Sequence, residues 1–344
     1  MAQSFAAPSL LAALVVCTCA TGCLPDKAAP TTTNASSSGG SGASSGSGST
    51  GGSGGSSGST SGAGGALRVA EWNIEFFAMP DAGPTDDALQ ATNVTAGIQQ
   101  VAPDIMAFEE VCDEGVFAQV PANLESQTGA TFQSIVANDP SLGNAYANYG
   151  GSWGQKTALI WRTDVATYVS GQLVYRTDLD PSWGSTFATR DPLEIKLQLA
   201  DGTILYVIVV HLKSGVDTAS YNERVQESAD LKTYLEQVHA NDAVMVIGDW
   251  NDDLDSSITS GEPSPFSALV ADTADYVFTT MPFSTANEST LDTFQGHPID
   301  HHLVNKQLFN FVINNSAQII HPNIVNYGDT TSDHYPTLVQ YQRP

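Results

Sequence analysis

Ala243-Val-Met-Val-Ile-Gly-Asp-Trp-Asn251 runs five apolar residues into a glycine and then into two polar residues spaced two apart. A run this short and this apolar reads as a buried strand. Side chains on an extended chain alternate between faces, so Asp249 and Asn251 leave the strand end on the same side. The pattern recurs along the chain. Ile204–Val210 is apolar and is followed by His211, with Lys213 on its face. Leu67–Glu75 reads as a strand whose alternation puts Asn73 and Glu75 on one face. The apolar run Asp104–Val111 closes on Glu109-Glu110, Asp300 opens the strand Asp300–Val304, and Ser332-Asp333-His334 precedes a last strand, Tyr335–Tyr341. Polar residues at the ends of six apolar strands imply convergence on one edge, where loops carry function.

The remaining elements supply the layers. Thr157–Trp161, Val174-Tyr175 and Leu193–Leu199 read as further strands, and Ala200-Asp-Gly-Thr203 turns Leu193–Leu199 into Ile204–Val210 as a hairpin. Asp86–Val101 has helical spacing (Ala88, Leu89, Val94, Ile98) and is stopped by Pro103, and Glu223–His239 reads as a second helix. Hairpins mixed with single helices point to two packed sheets flanked by helices, and no internal repeat is visible.

The converging set contains asparagine, four or five carboxylates and two histidines, with no cysteine. Hard oxygen ligands of this kind suit Mg2+ or Mn2+ better than zinc or copper. Lys156 and Lys213 are candidate contacts for an anionic ligand, with solvated surface lysines as the default. His297, His302 and His321 read as surface or packing residues, Asp252-Asp253-Leu-Asp255 as an acidic solvated turn, and Cys112 as a small buried hydrophobe.

Seven pieces then stand in a recognisable order: Trp72-Asn-Ile-Glu75, Asp104-Ile-Met-Ala-Phe-Glu-Glu-Val111, Arg190-Asp-Pro192, His211-Leu-Lys-Ser214, Gly248-Asp-Trp-Asn251, Ile299-Asp-His-His-Leu-Val304 and Ser332-Asp-His-Tyr-Pro336. Together they resemble the endonuclease/exonuclease/phosphatase superfamily, which includes pancreatic-type deoxyribonuclease, AP endonucleases, neutral sphingomyelinases and inositol-polyphosphate 5-phosphatases. The resemblance implies a four-layer α/β/β/α sandwich of two mixed β-sheets flanked by helices (DNase I-like). It implies that Glu110 is the principal metal-binding glutamate, with Glu75 and Asp333 as further acidic metal positions. By the same resemblance, Asn73 would lie beside the metal and the scissile phosphate, while Asp249 and Asn251 would orient the attacking water. His334 matches the catalytic histidine held by Asp300, and His211 a second histidine at the phosphate. Arg190 and Trp153 match positions near the phosphate. Gln155 occupies the position where relatives place a glutamate supporting the second histidine.

The His-Leu-Lys-Ser run and Asn222-Glu-Arg224 at the start of a helix look most like secreted bacterial nucleases of the superfamily. The 5-phosphatases carry Asn-Tyr-Arg after their Gly-Asp and Cys-Asp-Arg at the Asp300 position, and both are missing here. The expected activity is therefore Mg2+- or Mn2+-dependent phosphodiester hydrolysis on nucleic acid, DNA ahead of RNA, with no obligate protein partner. A phospholipid phosphodiesterase of sphingomyelinase type is the alternative reading, and a degenerate binding module on the same fold a third.

Composition sets limits around this. The 344 residues carry 12 Lys+Arg against 37 Asp+Glu, a formal charge of −25, which excludes a basic nucleic-acid scaffold and a polybasic membrane binder. Three of the four cysteines fall in the first 23 residues, so a disulfide-stapled miniprotein is excluded as well. The apolar run Pro8–Cys17 has the length of a signal-peptide core. It leads into Ala20-Thr-Gly-Cys23, which resembles the lipobox of bacterial lipoproteins, whose cysteine is acylated. Residues 36–65 are Ser or Gly at 26 of 30 positions. Such a segment cannot bury enough apolar surface to offset chain entropy, and as a flexible coil residues 24–65 would reach about 36 Å. The expected organisation is a signal peptide at 1–22, a lipidated Cys23 with a disordered tether to 65, and a catalytic domain at 66–344, placed in the bacterial cell envelope outside the cytoplasm or secreted.

Overall fold

In the computed structural model, residues 65–142, 154–174, 187, 190–293 and 296–343 are described. The expected signal peptide, Cys23 and the tether up to residue 64 lie outside the described residues, as do Trp153 and Tyr175.

Alternation along β1 (Leu67–Phe77) sends Val69, Glu71 and Asn73 to one side and Ala70, Trp72 and Ile74 to the other, and both sides are buried. The parallel neighbour β2 (Ile105–Val111) does the same. One side joins Val69, Ile105 and Ala107 to Val207, Val209, Met245 and Ile247 of a second sheet, forming the core between sheets. The other packs Trp72, Met106 and Phe108 on Val94, Ile98 and Val101 of α1 (Asp87–Val101), with α3 (Val120–Thr128) beside it after the short α2 (Glu114–Phe117). Two-sided burial explains why these strands read as nearly continuous apolar runs.

The first sheet continues with β3 (Phe132–Val136) and β4 (Lys156–Arg162). The second contains β5 (Ala166–Leu173), β6 (Leu193–Leu199), β7 (Ile204–His211) and, after the long helix α4 (Thr218–Val238), β8 (Val244–Asp249). Following α5 (Ser267–Ala271) come β9 (Tyr276–Phe278), α6 (Met281–Ala286) and β10 (Asp300–Asn305). The chain then returns to the first sheet as β11 (Gln318–Ile319), passes α7 (Tyr327–Thr330) and ends in β12 (Thr337–Tyr341). Strand orders are β11-β12-β1-β2-β4-β3 and β5-β6-β7-β8-β10-β9. Leu231 and Leu235 of α4 cover the outer face of the second sheet against Ile208, Val210 and Val246, completing the expected four layers.

Each sheet holds one parallel pair, β1/β2 and β7/β8, and every other neighbour is antiparallel. A parallel pair needs a crossover, supplied here by α1 and by α4. These four carboxyl ends carry Asn73, Glu75, Glu110, His211 and Asp249, and the antiparallel β10 and β12 bring Asp300 and Asp333-His334 to the same edge at their starts. All described residues belong to one unit, Thr60–Pro344, and no helix among them is long and apolar enough to cross a membrane.

Several boundaries differ from expectation. α4 begins at Thr218, five residues early, because Asp217 caps it by accepting from the amides of Ala219 and Ser220. Asn222-Glu-Arg224 therefore lies inside the helix rather than opening it. The strand expected at Val174-Tyr175 is β5, which ends at Leu173. β5 is buried only at its two ends, Ala166 and Leu173, so it lacks the apolar run that marks a buried strand. His211 closes β7 rather than following it, and the last strand starts at Thr337, after Pro336.

Candidate active site

Register builds the first part of the site. His211 pairs with Asp249 across β7/β8, and Asp249 pairs with Asp300 across β8/β10, so the three stand on one rung of the second sheet. Gly248 makes the approach possible: its φ is +142°, and a Cβ there would lie 2.1 Å from the Val210 carbonyl oxygen. From the facing sheet Asn73 donates through Nδ2 to Asp249 Oδ2 at 3.0 Å, bridging the two sheets, and lies 3.3 Å from Glu110 Oε1. Asn251 donates its amide to Asp249 Oδ1 and its Nδ2 to the Leu212 carbonyl.

Backbone irregularity builds the second part. The β1/β2 ladder shifts register between Asn73 and Phe77, and the β2/β4 ladder between Phe108 and Val111. Glu75, Phe76 and Glu110 sit in these breaks with φ of 42°, 46° and 60°, and Asn251 has φ of 54°. Left-handed backbone costs a non-glycine residue of order 1 kcal/mol, so four such residues around one cleft mark a place where geometry serves function. The bulge, not simple alternation, aims Glu75. The break at Glu110 separates the two adjacent glutamates. Glu109 points between the sheets, fully buried, while Glu110 turns to the cleft and accepts the Phe76 amide at 2.9 Å.

His334 completes the arrangement. Its Nδ1 lies 3.0 Å from Asp300 Oδ2, and its Nε2 lies 4.0 Å from Asp249 and 3.9 Å from Asp333. Trp72 Nε1 and the Tyr327 hydroxyl both donate to its carbonyl oxygen. Ser332 accepts its amide and donates to the Asn73 carbonyl, tying the Ser-Asp-His segment to β1. Burial disfavours an imidazolium here, yet Asp300, Asp333 and Asp249 together outweigh it and hold His334 well above its ordinary value. His211 is driven the opposite way, by burial and by Arg190, whose Nη1 lies 2.7 Å from His211 Nε2. The neutral ring accepts that guanidinium proton.

The carboxylates show what is required at the centre. Burial, then the charges of Asp333 and Glu110, push Glu75 up to about 8, and its Oε2 is buried without a hydrogen-bond partner. Glu110 is raised by burial and by Asp333, and Asp249 rises to about 7 through burial and Asp300. Glu75, Glu110 and Asp333 thus repel one another around an orphaned oxygen, and an all-oxygen set of this kind fits a hard divalent cation. Asp249, Asp300 and His334 also offer ligand atoms within 4.8 Å of one another. That set fits a metal less well, because His334 Nδ1 is engaged by Asp300 and the ring is held protonated.

Asn73, Glu75, Glu110, Arg190, His211, Asp249, Asn251, Asp300, Asp333 and His334 therefore share one cleft. Gln155 is half-buried just before β4, whose Lys156 pairs with Val111. Three expectations need correction. Lys156 is no surface lysine: its ammonium is buried against the Cys112 and Gly154 carbonyls and Glu114. Asp252 and Asp253 are buried as well. Asp252 pairs with the fully buried Arg224 at 2.8 Å, and Asp253 with His297, leaving Asp255 as the exposed member of that turn. Sequence reading also missed Glu71, buried with Glu109 between the sheets behind the cleft, and Gln90, buried beneath the Glu75 bulge. The Glu-Glu doublet was visible; nothing at Gln90 distinguishes it from any helical glutamine.

A model described as the Endonuclease/Exonuclease/phosphatase family matches residues 70–334, which enclose every residue of this cleft. No curated protein matches the chain in sequence. Among solved structures, the human Nocturnin catalytic domain with bound sulfate is similar at 18% identity and TM-score 0.56, covering 80% of this chain and 94% of that one. An endonuclease/exonuclease/phosphatase from Bacteroides vulgatus gives 17%, 0.57, 81% and 100%. D. rerio TDP2 complexed with a single-strand DNA product gives 15%, 0.54, 81% and 99%.

Proposed function

The chain belongs to the endonuclease/exonuclease/phosphatase family of phosphoric ester hydrolases, and from that premise we propose that it is a Mg2+- or Mn2+-dependent phosphodiesterase acting on nucleic acid, DNA ahead of RNA. One observation carries the reading: Glu75, Glu110 and Asp333 crowd around an unpartnered carboxylate oxygen while His334 Nε2 lies within 4.0 Å of both Asp333 and Asp249.

A divalent cation held by Glu110, Glu75 and Asp333 would neutralise phosphate charge as a Lewis acid. The protonated His334, fixed at Nδ1 by Asp300, offers its Nε2–H to a phosphate oxygen and stabilises charge growing there. Asp249, raised to about 7, is matched to neutral pH as the group that orients the attacking water and takes its proton. Asn73 and Asn251 hold that carboxylate in place. Arg190 and the neutral His211 form a second phosphate-facing pair.

The Ser/Gly-rich segment and Cys23 support a lipid-tethered protein of the cell envelope as part of this proposal, argued from sequence alone; Cys23→Ser is expected to release it from membranes, and unchanged membrane partition overturns that part. The activity is tested by incubating the protein with plasmid DNA, RNA and sphingomyelin vesicles, with MgCl2 or EDTA. Nicking of DNA that EDTA abolishes is expected. Cleavage of sphingomyelin alone replaces the reading with the lipid alternative, and inactivity on every diester with Mg2+ defeats it.

A further inference from the structure

Resting on the phosphodiesterase reading, we propose that the cleft takes its substrate as an isolated phosphodiester unit, contacting the scissile phosphate and its nearest neighbours without tracking a polyanionic backbone.

The placement of the basic residues carries this. The chain has twelve lysines and arginines, and Lys27 and Arg176 lie outside the described residues. Six of the other ten are gathered away from the cleft, toward the opposite ends of the strands. Arg68, Arg162 and Arg343 converge there on Asp104 and on the carbonyls that end α1. Lys196 lies over Tyr206, near the start of β7, while Lys232 and Lys306 pair with Asp272 and Asp275. Two more are enclosed at the cleft end and cannot reach a ligand. Lys156 is spent on carbonyls and Glu114, and Arg224 on Asp252 and the carbonyls of Lys213 and Gly215. Arg190 and Lys213 remain at the cleft, and Lys27 and Arg176, both outside the described residues, bring the upper limit on contacts to four.

The loops that leave this edge have the opposite sign. Asp81, Asp86, Asp217 and Asp255 are exposed on them, within a chain of net charge −25. A protein that follows a duplex neutralises six to ten phosphates with lysine and arginine, and its affinity falls steeply with salt as counterions are released. This rim repels such a backbone. A single diester is recognised by the carboxylate-held cation site, His334, Arg190 and His211, all within one cleft. The same chemistry is found in a dinucleotide, at a frayed strand end and in a lipid headgroup.

The test measures kcat/KM at fixed MgCl2 on the dinucleotide TpT, plasmid DNA and sphingomyelin vesicles, with NaCl varied from 50 to 500 mM. TpT is expected to be hydrolysed, and the slope of log(kcat/KM) against log[NaCl] on plasmid to be no steeper than about −3.6, the value for four released counterions. Hydrolysis of sphingomyelin but not TpT keeps the isolated-diester inference and moves its source from nucleotide to lipid. A steeper slope on plasmid, or plasmid cleavage with TpT and sphingomyelin untouched, overturns the inference while leaving the nuclease reading intact. Inactivity on all three substrates overturns both.

Discussion

The side-chain amide of Gln90 donates to the main-chain carbonyl of Glu75 at 2.9 Å, beneath the left-handed bulge that aims the Glu75 carboxylate. The same nitrogen lies 2.9 Å from the Ile74 carbonyl and 3.1 Å from that of Thr331, and the side-chain oxygen accepts from Ala78. One buried glutamine of α1 thus fastens the bulge carrying Glu75 to the segment carrying Asp333 and His334.

Gln90→Leu is expected to raise the Mg2+ concentration needed for half-maximal activity about 10- to 100-fold, the usual effect of losing a group that orients metal ligands. Stability should fall by about 1–3 kcal/mol, since the freed carbonyls stay buried. Titrating activity with MgCl2 and melting the metal-free variant separate the two effects. A lowered melting temperature with an unchanged Mg2+ midpoint would leave Gln90 a structural staple only.

Asp300 is the carboxylate in contact with His334 Nδ1, so Asp300→Asn should bring the His334 pKa down from its raised position and reduce kcat about 10²- to 10⁴-fold. His334→Ala should cost as much without unfolding the chain. Imidazole NMR titration of the metal-free protein and circular dichroism check both. A His334 that loses its proton below pH 6.5 in the parent protein contradicts the assignment.

How much of this was legible depended on which residues obey a period. β1, β2, β7 and β8 are buried on both faces, and their apolar runs ending in polar residues were readable at once. β5 is buried only at Ala166 and Leu173, and the strand expected at Val174-Tyr175 missed its span. The convergence of Asp249, Asp300 and His334 followed from motif order, yet their distances depend on β10 and β12 entering antiparallel to the parallel pairs, which no local pattern encodes. Simple alternation was an incomplete reading of Glu75, which sits in a register break with φ of 42°. The matching order of strand directions in the two sheets left no sequence repeat, because each strand position needs only an apolar residue of suitable size.

Glu109 is buried with neither oxygen hydrogen-bonded, and Glu71 beside it bonds Thr337 through one oxygen only. Burial first, then neighbouring carboxylates, raise both well above the ordinary range. A carboxyl raised in the folded state leaves stability undiminished below its unfolded pKa of about 4.3, and stability is then lost as pH rises toward the folded value. The protein should therefore be more resistant to urea at pH 5 than at pH 8. Glu109→Gln should flatten that dependence with little cost at pH 5, whereas an equally steep profile in the variant would acquit Glu109.

Glu75 ties metal binding to protons. With its pKa pushed to about 8, the carboxyl is mostly protonated at pH 7 and must ionise to hold a cation. Binding of Mg2+ at pH 7 should release close to one proton, read by calorimetry in buffers of different ionisation enthalpy. Affinity should rise about tenfold per pH unit from 6 to 8 and level off above. Saturation at 100 times the dissociation constant should stabilise the fold by about 2.7 kcal/mol, and EDTA should remove that gain. Glu75→Gln should abolish the proton release while weakening binding. An affinity independent of pH across this range would mean that Glu75 lies outside the coordination sphere and that the cation is held by Glu110 and Asp333 without it.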